Sequence, residues 1–379
     1  MSWITLLVLA ILLILAFSDK TPKRLLYSIL REGLKGTRYL RLPFPKAERF
    51  LERHNPKPLG HSAYQRIRRE VCHTPLLLNL PTSEGSGEAA HPDVLHVEEG
   101  WGAGKWTYLM TATPYPSGND YFENPEFYVS HDGVRWTTPE GGKNPLAQVP
   151  VFPQRRDLKK EFHSDPSLLL HEGVLHLYYR WTGVLLNGGE ENRICVVTSA
   201  DGIGWSESRV VLEEKTKASE ARKFLSPSLL FLDGEFVMWT VEYERGERFI
   251  FRRTSADGLR WEEPAKTVLH EGSSSFAPWH LDVVEGEGQL FLILTTARDR
   301  GFDAETCWGR GDAGGRVWEI TGKPFDPGYF FEGKRIYRSS MLQRTDGGIS
   351  LYYSTMSMDG TWNVALLLFE TGEGIPEKP

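Results

Sequence analysis

From about residue 72 onward the chain is built of short apolar runs. Stretches such as LHLYYRW, EFVMWTVEY, QLFLILTT and ISLYYST either alternate apolar and polar positions or are wholly apolar, and Gly or Asp-Gly dipeptides bound them. That period and that punctuation predict strands joined by tight turns. One phrase recurs: SHDGVRW at Ser130–Trp136, SADGIGW at Ser199–Trp205 and SADGLRW at Ser255–Trp261. Asp-Gly supplies the positive φ values that hairpin turns need, and each copy ends on a Trp placed to cover the hairpin. Copies about 55 to 70 residues apart mean one supersecondary unit used repeatedly, the pattern of a propeller or an array.

A second recurrence opens each unit. A residue-Pro pair enters a strand at His91-Pro92, Asp165-Pro166, Ser226-Pro227 and Ala277-Pro278, and a fifth unit begins less distinctly at Tyr337-Arg338-Ser339-Ser340. The order within a unit is constant: an opening strand, a turn, an aromatic strand, a third strand ending in the SxDGxxW turn, and a short outer strand. Four antiparallel strands per unit make a propeller blade. The expected fold is therefore all-β, a five-bladed β-propeller over residues 71–379. A sixth blade would require residues 295–335 to be more than a long insertion. Pro is tolerated because the opening residue of an axis-lining strand can sit outside the ladder.

The N-terminal part differs. Trp3–Phe17 is apolar except for Thr5, so residues 1–18 read as a signal or anchor segment. The run is short for a spanning helix, and Ala16-Phe17-Ser18 offers small residues suited to cleavage. Lys20, Lys23 and Arg24 follow the run rather than precede it, which favours retention as an anchor. Residues 19–70 read as a basic, amphipathic helical arm. Membrane or cell-envelope association follows as an expectation.

Charge separates the two parts. Residues 1–70 carry 14 Lys and Arg against 5 Asp and Glu; the remaining residues carry 30 against 45. An acidic body argues against nucleic-acid binding, which needs clustered cations. The three cysteines, Cys72, Cys195 and Cys307, are widely spaced and have no metal-ligand spacing. Aromatic residues make up 12% of the chain, with 12 Trp, a content that suits sheet packing or stacking on sugars.

The units resemble the five-bladed glycosidase propellers, including the family-43 glycoside hydrolases and relatives that act on arabinan, xylan and fructan. The resemblance covers roughly residues 85–375. Gly100–Gly133 is also similar to a group of bacterial and phage propeller proteins related to that clan, and the SxDGxxW turns are similar to sialidase Asp-boxes, one residue shorter. The resemblance implies an enzyme acting on glycosidic bonds with an oligo- or polysaccharide substrate. It implies an aspartate base in blade one, a pKa-tuning aspartate in blade two and a glutamate acid in blade three. Asp165 matches the second and Glu242 the third. His91 stands where the first aspartate is expected, with Asp93 two residues on.

If the opening strands converge on an axis, the residues around each Pro face one pocket: His91, Asp93, Asp165, Ser226, Trp279, His280, Asp282, Arg338 and Ser339. The catalytic candidates are Asp165, Glu242, Asp93, His91 and Asp282. The substrate-binding candidates are Tyr115, Glu123, Asn124, Arg180, Trp181, Trp279, His280 and Arg338. No cofactor is required, although His91, Asp165, His280 and Asp282 could ligate an axial divalent cation. A carbohydrate-binding propeller without catalysis is the alternative, favoured by the missing blade-one aspartate; a protein scaffold is a third reading.

Overall fold

The structure is a computed structural model. It describes residues 75–150, 153–216, 223–270, 277–286, 288–298, 303–325, 335–344, 347–357 and 360–369, all within the compact unit Arg69–Pro379. The expectations for residues 1–70, the hydrophobic segment and the basic arm, lie outside the described residues. Among the described residues no helix is long and apolar enough to cross a membrane.

The chain opens with β1 (Leu76–Leu78). The first sheet is β2 (Ala89–Trp101), β3 (Trp106–Pro114) and β4 (Glu126–Ser130). The second is β5 (Leu158–His171), β6 (Val174–Leu185), β7 (Glu190–Ser199) and β8 (Arg209–Thr216). The third is β9 (Leu225–Leu232), β10 (Glu235–Glu244), β11 (Glu247–Ser255) and β12 (Ala265–Lys266). The fourth holds β13 (Val268–His270), β14 (Pro278–Gly286), β15 (Gln289–Arg298), β16 (Asp303–Gly311) and β17 (Val317–Phe325). The fifth is β18 (Arg335–Gln343), β19 (Ile349–Met356) and β20 (Trp362–Phe369), with β1 added at its edge.

Two departures from four antiparallel strands per unit are evident. The first sheet has three strands, and its fourth is reduced to a single bridge between Val129 and Thr137. Pro139, Gly141, Gly142, Pro145 and Pro150 follow Trp136, and a stretch so rich in Pro and Gly cannot sustain a ladder. The fourth sheet has five strands because β13 pairs parallel to β17.

Each sheet is buried on both faces, so successive residues of one strand enter different cores. Leu109, Phe127, Leu168 and Leu177 pack between the first and second sheets. Tyr178, Val196, Phe236 and Met238 pack between the second and third. Val237, Trp239, Leu292 and Trp318 join the third to the fourth. Ile293, Trp308, Leu351 and Tyr353 join the fourth to the fifth. Met110, Tyr128, Tyr352 and Val364 join the fifth to the first. The packing thus runs in a circuit, a propeller-like arrangement, with each opening strand (β2, β5, β9, β14, β18) lying against two others.

The recurrent turns dock on the neighbouring sheet. Tyr352 Oη donates to the Gly133 carbonyl at 3.0 Å, Tyr178 Oη to Gly258 at 2.9 Å, and Trp239 Nε1 to Gly315 at 2.8 Å. Within the turns, Asp132, Asp201 and Asp257 accept backbone N–H groups two and three residues on. Trp136 is buried; Trp205 packs on Phe127 and Trp261 on Tyr178. These residues are structural.

A polar belt ties the opening strands together. Ser340 Oγ accepts the Val94 N–H at 3.0 Å, and Asp93 accepts the Leu168 N–H at 2.6 Å. Ser228 Oγ accepts the Val283 N–H at 2.9 Å, and Asp282 accepts the Met341 N–H at 3.0 Å. The second carboxylate oxygens of Asp93 and Asp282 accept from Ser340 and Ser228. The structure thus gives Asp93 and Asp282, expected as catalytic candidates, the task of linking neighbouring sheets, because their carboxyl oxygens are consumed by backbone and serine donors.

Candidate functional site

Every opening strand slips register near its entry. The irregularities fall between Ala90 and Asp93, between Ser164 and Ser167, opposite Trp239–Val241 in the β9–β10 pair, between Pro278 and His280, and between Ile336 and Ser339. Such bulges re-aim side chains, often beside active sites. His91, Asp165 and Ser226 take φ values of 54°, 51° and 49°. Non-glycine residues rarely adopt this left-handed region, and each such residue costs about 1–3 kcal/mol. Three repetitions of that strain, each just before a Pro, turn the side chains toward a common centre.

The belt fixes which residues are equivalent. Asp93, Ser228, Asp282 and Ser340 are matched positions, so the residues two before them are matched too: His91, Ser226, His280 and Arg338, with Asp165 in the second sheet. In the fourth sheet the place falls on His280, not on Ala277 before Pro278; in the fifth it falls on Arg338. The sequence signal is the likeness of His91-Pro92-Asp93-Val94 to His280-Leu281-Asp282-Val283.

These residues meet around Asp165, which is 1% exposed. Its Oδ1 lies 3.2 Å from His280 Nδ1, 3.6 Å from His91 Nε2 and 3.8 Å from Arg338 Nη1. Its Oδ2 accepts from Ser164 Oγ at 3.0 Å and lies 3.3 Å from Arg180 Nε. Arg180 is itself held by Ser164 Oγ and the Lys223 carbonyl. On the other side of His91, Nδ1 is 2.9 Å from Thr113 Oγ1 and 3.6 Å from Glu123 Oε1.

The protonation states follow from burial and neighbours. Burial pushes His91 down to about 3, against the pull of Asp165, so its imidazole is neutral. Burial likewise lowers His280. Burial alone would raise Asp165, but the Arg180 guanidinium, with the polar edges of His91 and His280 turned toward the carboxylate, outweighs it and holds the carboxyl well below its usual range. Glu123 goes the other way: burial first, then the negative charges of Asp120 and Asp165, lift it well above the ordinary glutamate value. The site therefore sets one ionised carboxylate between two neutral imidazoles, with a carboxyl of raised pKa beside one of them.

His91, Asp165 and His280 offer ligand atoms all within 4.8 Å of one another. Both ring nitrogens of His280, the Oδ1 of Asp165, and the Nε and Nη1 of Arg338 are buried without hydrogen-bond partners. Buried polar atoms are rarely left so. Two imidazoles and a carboxylate are a donor set suited to zinc, manganese or a related divalent ion, and the unpartnered His280 and Asp165 atoms are those such an ion would satisfy. Asp282 contributes to the belt instead.

The remaining candidates divide. Tyr115 stacks toward Trp362 (5.0 Å between ring centres), Trp362 toward Tyr337 (5.1 Å) and Tyr337 toward His280 (4.3 Å), so an aromatic wall leads to the centre. Tyr337 and Trp362 were not among the expected site residues; Trp362 ends a shortened turn phrase, SMDGTW. Trp279 lies at 5.8 Å from His280. Asn124 has a positioning part: its side chain accepts the Val149 N–H, meets His163 Nδ1 and donates to the Tyr121 carbonyl, pinning the loop that carries Glu123. Trp181 does not reach the centre. It alternates with Arg180 along β6, so the two cannot share a face, and it packs in the core between the first two sheets. Glu242 is fully buried and pairs with Arg253 while accepting from Thr240 Oγ1. That pair commits Glu242 to the β10–β11 hairpin, and Glu123 is the carboxyl that stands beside the cluster.

No family model matches the chain. In sequence it is similar to the A type blood N-acetyl-alpha-D-galactosamine deacetylase of Flavonifractor plautii, 27% identical over 330 residues, covering 73% of this chain and 41% of that protein. The chain thus spans less than half the length of this curated relative. In structure it is similar to an N-acetylgalactosamine deacetylase from F. plautii solved with blood group B trisaccharide (TM-score 0.67, 21% identity, 78% of this chain and 94% of that one). It is also similar to the GH43_1 enzyme from Xanthomonas citri complexed with xylose (TM-score 0.53, 12% identity, 84% and 97%). The likeness to family-43 propellers expected from the sequence therefore holds at the level of the fold.

Proposed function

We propose that this chain is a carbohydrate-active hydrolase that removes an acyl group from an amino sugar, using a divalent cation held by His91, Asp165 and His280. The five sheets serve in this reading as the blades of a five-bladed propeller. The observation that carries it is the buried His91–Asp165–His280 set with Glu123, its carboxyl raised by burial, 3.6 Å from His91. The relatives named above add weight, as deacetylases acting on an N-acetylated sugar.

When bound, such an ion supplies Lewis acidity and a water that ionises near neutral pH. The chain's own groups do the rest. Asp165 and the two imidazoles orient the reacting centre. The unpartnered donors of Arg338 stabilise negative charge developing on the acyl oxygen. Glu123 delivers its proton to the departing sugar nitrogen as the C–N bond breaks, leaving a carboxylate product and a free amine. Tyr115 and Tyr337, both partly exposed and backed by the buried Trp362, offer ring faces to the sugar. The apolar Trp3–Phe17 run supports placing this activity at a membrane or the cell envelope.

The glycosidase reading keeps one argument: an ionised Asp165 and a protonated Glu123 make the carboxyl pair that glycoside hydrolysis requires. The two readings part on the product. The full chain, supplied with zinc, manganese or cobalt, is incubated with oligosaccharides that contain N-acetylhexosamine. Acetate release that vanishes in Asp165→Asn supports the deacylase. New reducing ends without acetate select the glycosidase. Binding with neither product selects a carbohydrate-binding propeller.

A further inference from the structure

Arg248 is half-buried on β11, and its guanidinium carbon lies 4.9 Å above the ring of Trp279. One nitrogen donates to the Ala297 carbonyl at 2.7 Å, while Nη1 is buried without a hydrogen-bond partner. The indole Nε1 of Trp279 is buried and unpartnered as well. Arg248 has no carboxylate partner among the described residues. This is notable in a body where acidic residues outnumber basic ones by 45 to 30. Burial lowers the Arg248 guanidinium's pKa, with only Tyr243 opposing. A cation withdrawn from water without a counter-ion is costly, and an orphaned donor on each of two stacked side chains adds to that cost. Of the other cations, Arg180 is paired with Asp165 and Lys223 with Glu190 at 3.2 Å, while Arg338 faces Asp165 Oδ1 at 3.8 Å inside the centre itself. Trp279 in turn packs at 5.8 Å against His280, so the pair stands one ring away from the reacting centre.

We infer that Arg248 and Trp279 Nε1 form a subsite for an anionic substituent on the saccharide, a uronate carboxylate or a sulfate ester. The inference rests on the proposed reading for the location of the scissile group, but not for the binding itself. A planar guanidinium with a free edge is suited to fork-like contact with either anion. Its stacking on Trp279 fixes the side chain before the ligand arrives, which reduces the ordering cost of binding. A neutral oligosaccharide would leave both donors unsatisfied.

The test measures binding and turnover separately on the full chain. Calorimetry compares three oligosaccharides of the same backbone: neutral, uronate-bearing and sulfated. The expected result is tighter binding of a charged form than of the neutral one by about tenfold to a hundredfold, the span of a hydrogen bond to a charged group. Whichever charged form binds tighter identifies the anion. Arg248→Gln should erase most of that preference while leaving affinity for the neutral form within about twofold, and Trp279→Phe, which removes the second donor, should also lower the preference. Rescue by Arg248→Lys should be partial, because a point charge lacks the fork. Equal affinity for all three sugars in the native protein, no binding of any, or an undiminished preference in Arg248→Gln would overturn the inference. Preference for a charged form without acetate release would leave this subsite standing while the deacylase reading fell.

Discussion

Asp93 and Asp282 hold equivalent places on opening strands of the first and fourth sheets, and the second is titrated by the first. Burial, and then the negative charge of Asp93, raises the Asp282 carboxyl from its ordinary 3.8 to about 7. Asp93 is likewise raised by burial, with Arg338 opposing. A carboxyl whose folded value exceeds its unfolded one favours the folded state most when protonated. Its contribution is complete below the unfolded value and is lost as pH climbs toward the folded one. Denaturant midpoints should therefore fall between about pH 4 and pH 7, and Asp282→Asn should flatten that slope. A slope unchanged in the variant would refute the assignment.

Glu123 provides a second expectation, since its carboxyl is raised by burial and is isosteric with an amide. Glu123→Gln keeps the shape and removes the transferable proton. Turnover should fall by about a hundredfold to ten-thousandfold, the range for losing a general acid or base. The thermal midpoint should not fall, because no buried charge is left unpaired. A variant with native turnover would remove Glu123 from the chemistry.

Cation binding should be directly measurable. His280→Ala and Asp165→Asn each delete a ligand and should lower bound zinc or manganese, read by elemental analysis after dialysis. Glu123→Gln should keep it. Chelation should lower the thermal midpoint of the native protein and re-addition should restore it, because a ligand that binds only the folded state stabilises it by mass action. No bound ion and no response to chelation would argue for a metal-free site.

Much of the fold was legible because its punctuation is chemical. Asp-Gly turns need positive φ, and X-Pro entries mark where a strand leaves the ladder, so both leave traces in the letters. The apolar segment and the basic arm fall on residues outside those described. The site was legible only in part. Pro278 pointed to Ala277 as the fourth opening residue, yet with the bulge between Pro278 and His280 the position falls three residues further on, at His280. Glu242 matched an expected place, but its partner Arg253 lies across a hairpin, and a pairing made by register is not written beside the residue. Arg180 and Trp181 were both read as pocket residues although neighbours on a strand face opposite ways. Glu123 is marked in the sequence by its loop, while its raised pKa comes from burial first, then from Asp120 and from Asp165, 42 positions away in the chain.

Strain at functional and non-functional positions should respond differently to relief. Arg245 is exposed in the β10–β11 hairpin turn with φ 53°, next to Gly246 at 85°. Nothing else asks for arginine there, and Asn tolerates the left-handed region better. Arg245→Asn should stabilise the protein by up to about 1 kcal/mol in chemical denaturation, with activity unchanged. Ser226 carries the same strain, φ 49°, but its Oγ donates to the Leu281 carbonyl at 3.0 Å and accepts the Leu281 N–H at 3.1 Å. Ser226→Gly relieves the backbone while stranding both buried groups of Leu281, a cost of about 1–3 kcal/mol for an unsatisfied buried group. The expected outcome is a net loss of stability and a looser junction between the third and fourth sheets, which hydrogen exchange at Leu281 would detect. A Ser226→Gly protein more stable than the native one would mean that the turned-in backbone is held by packing alone and not by this bond.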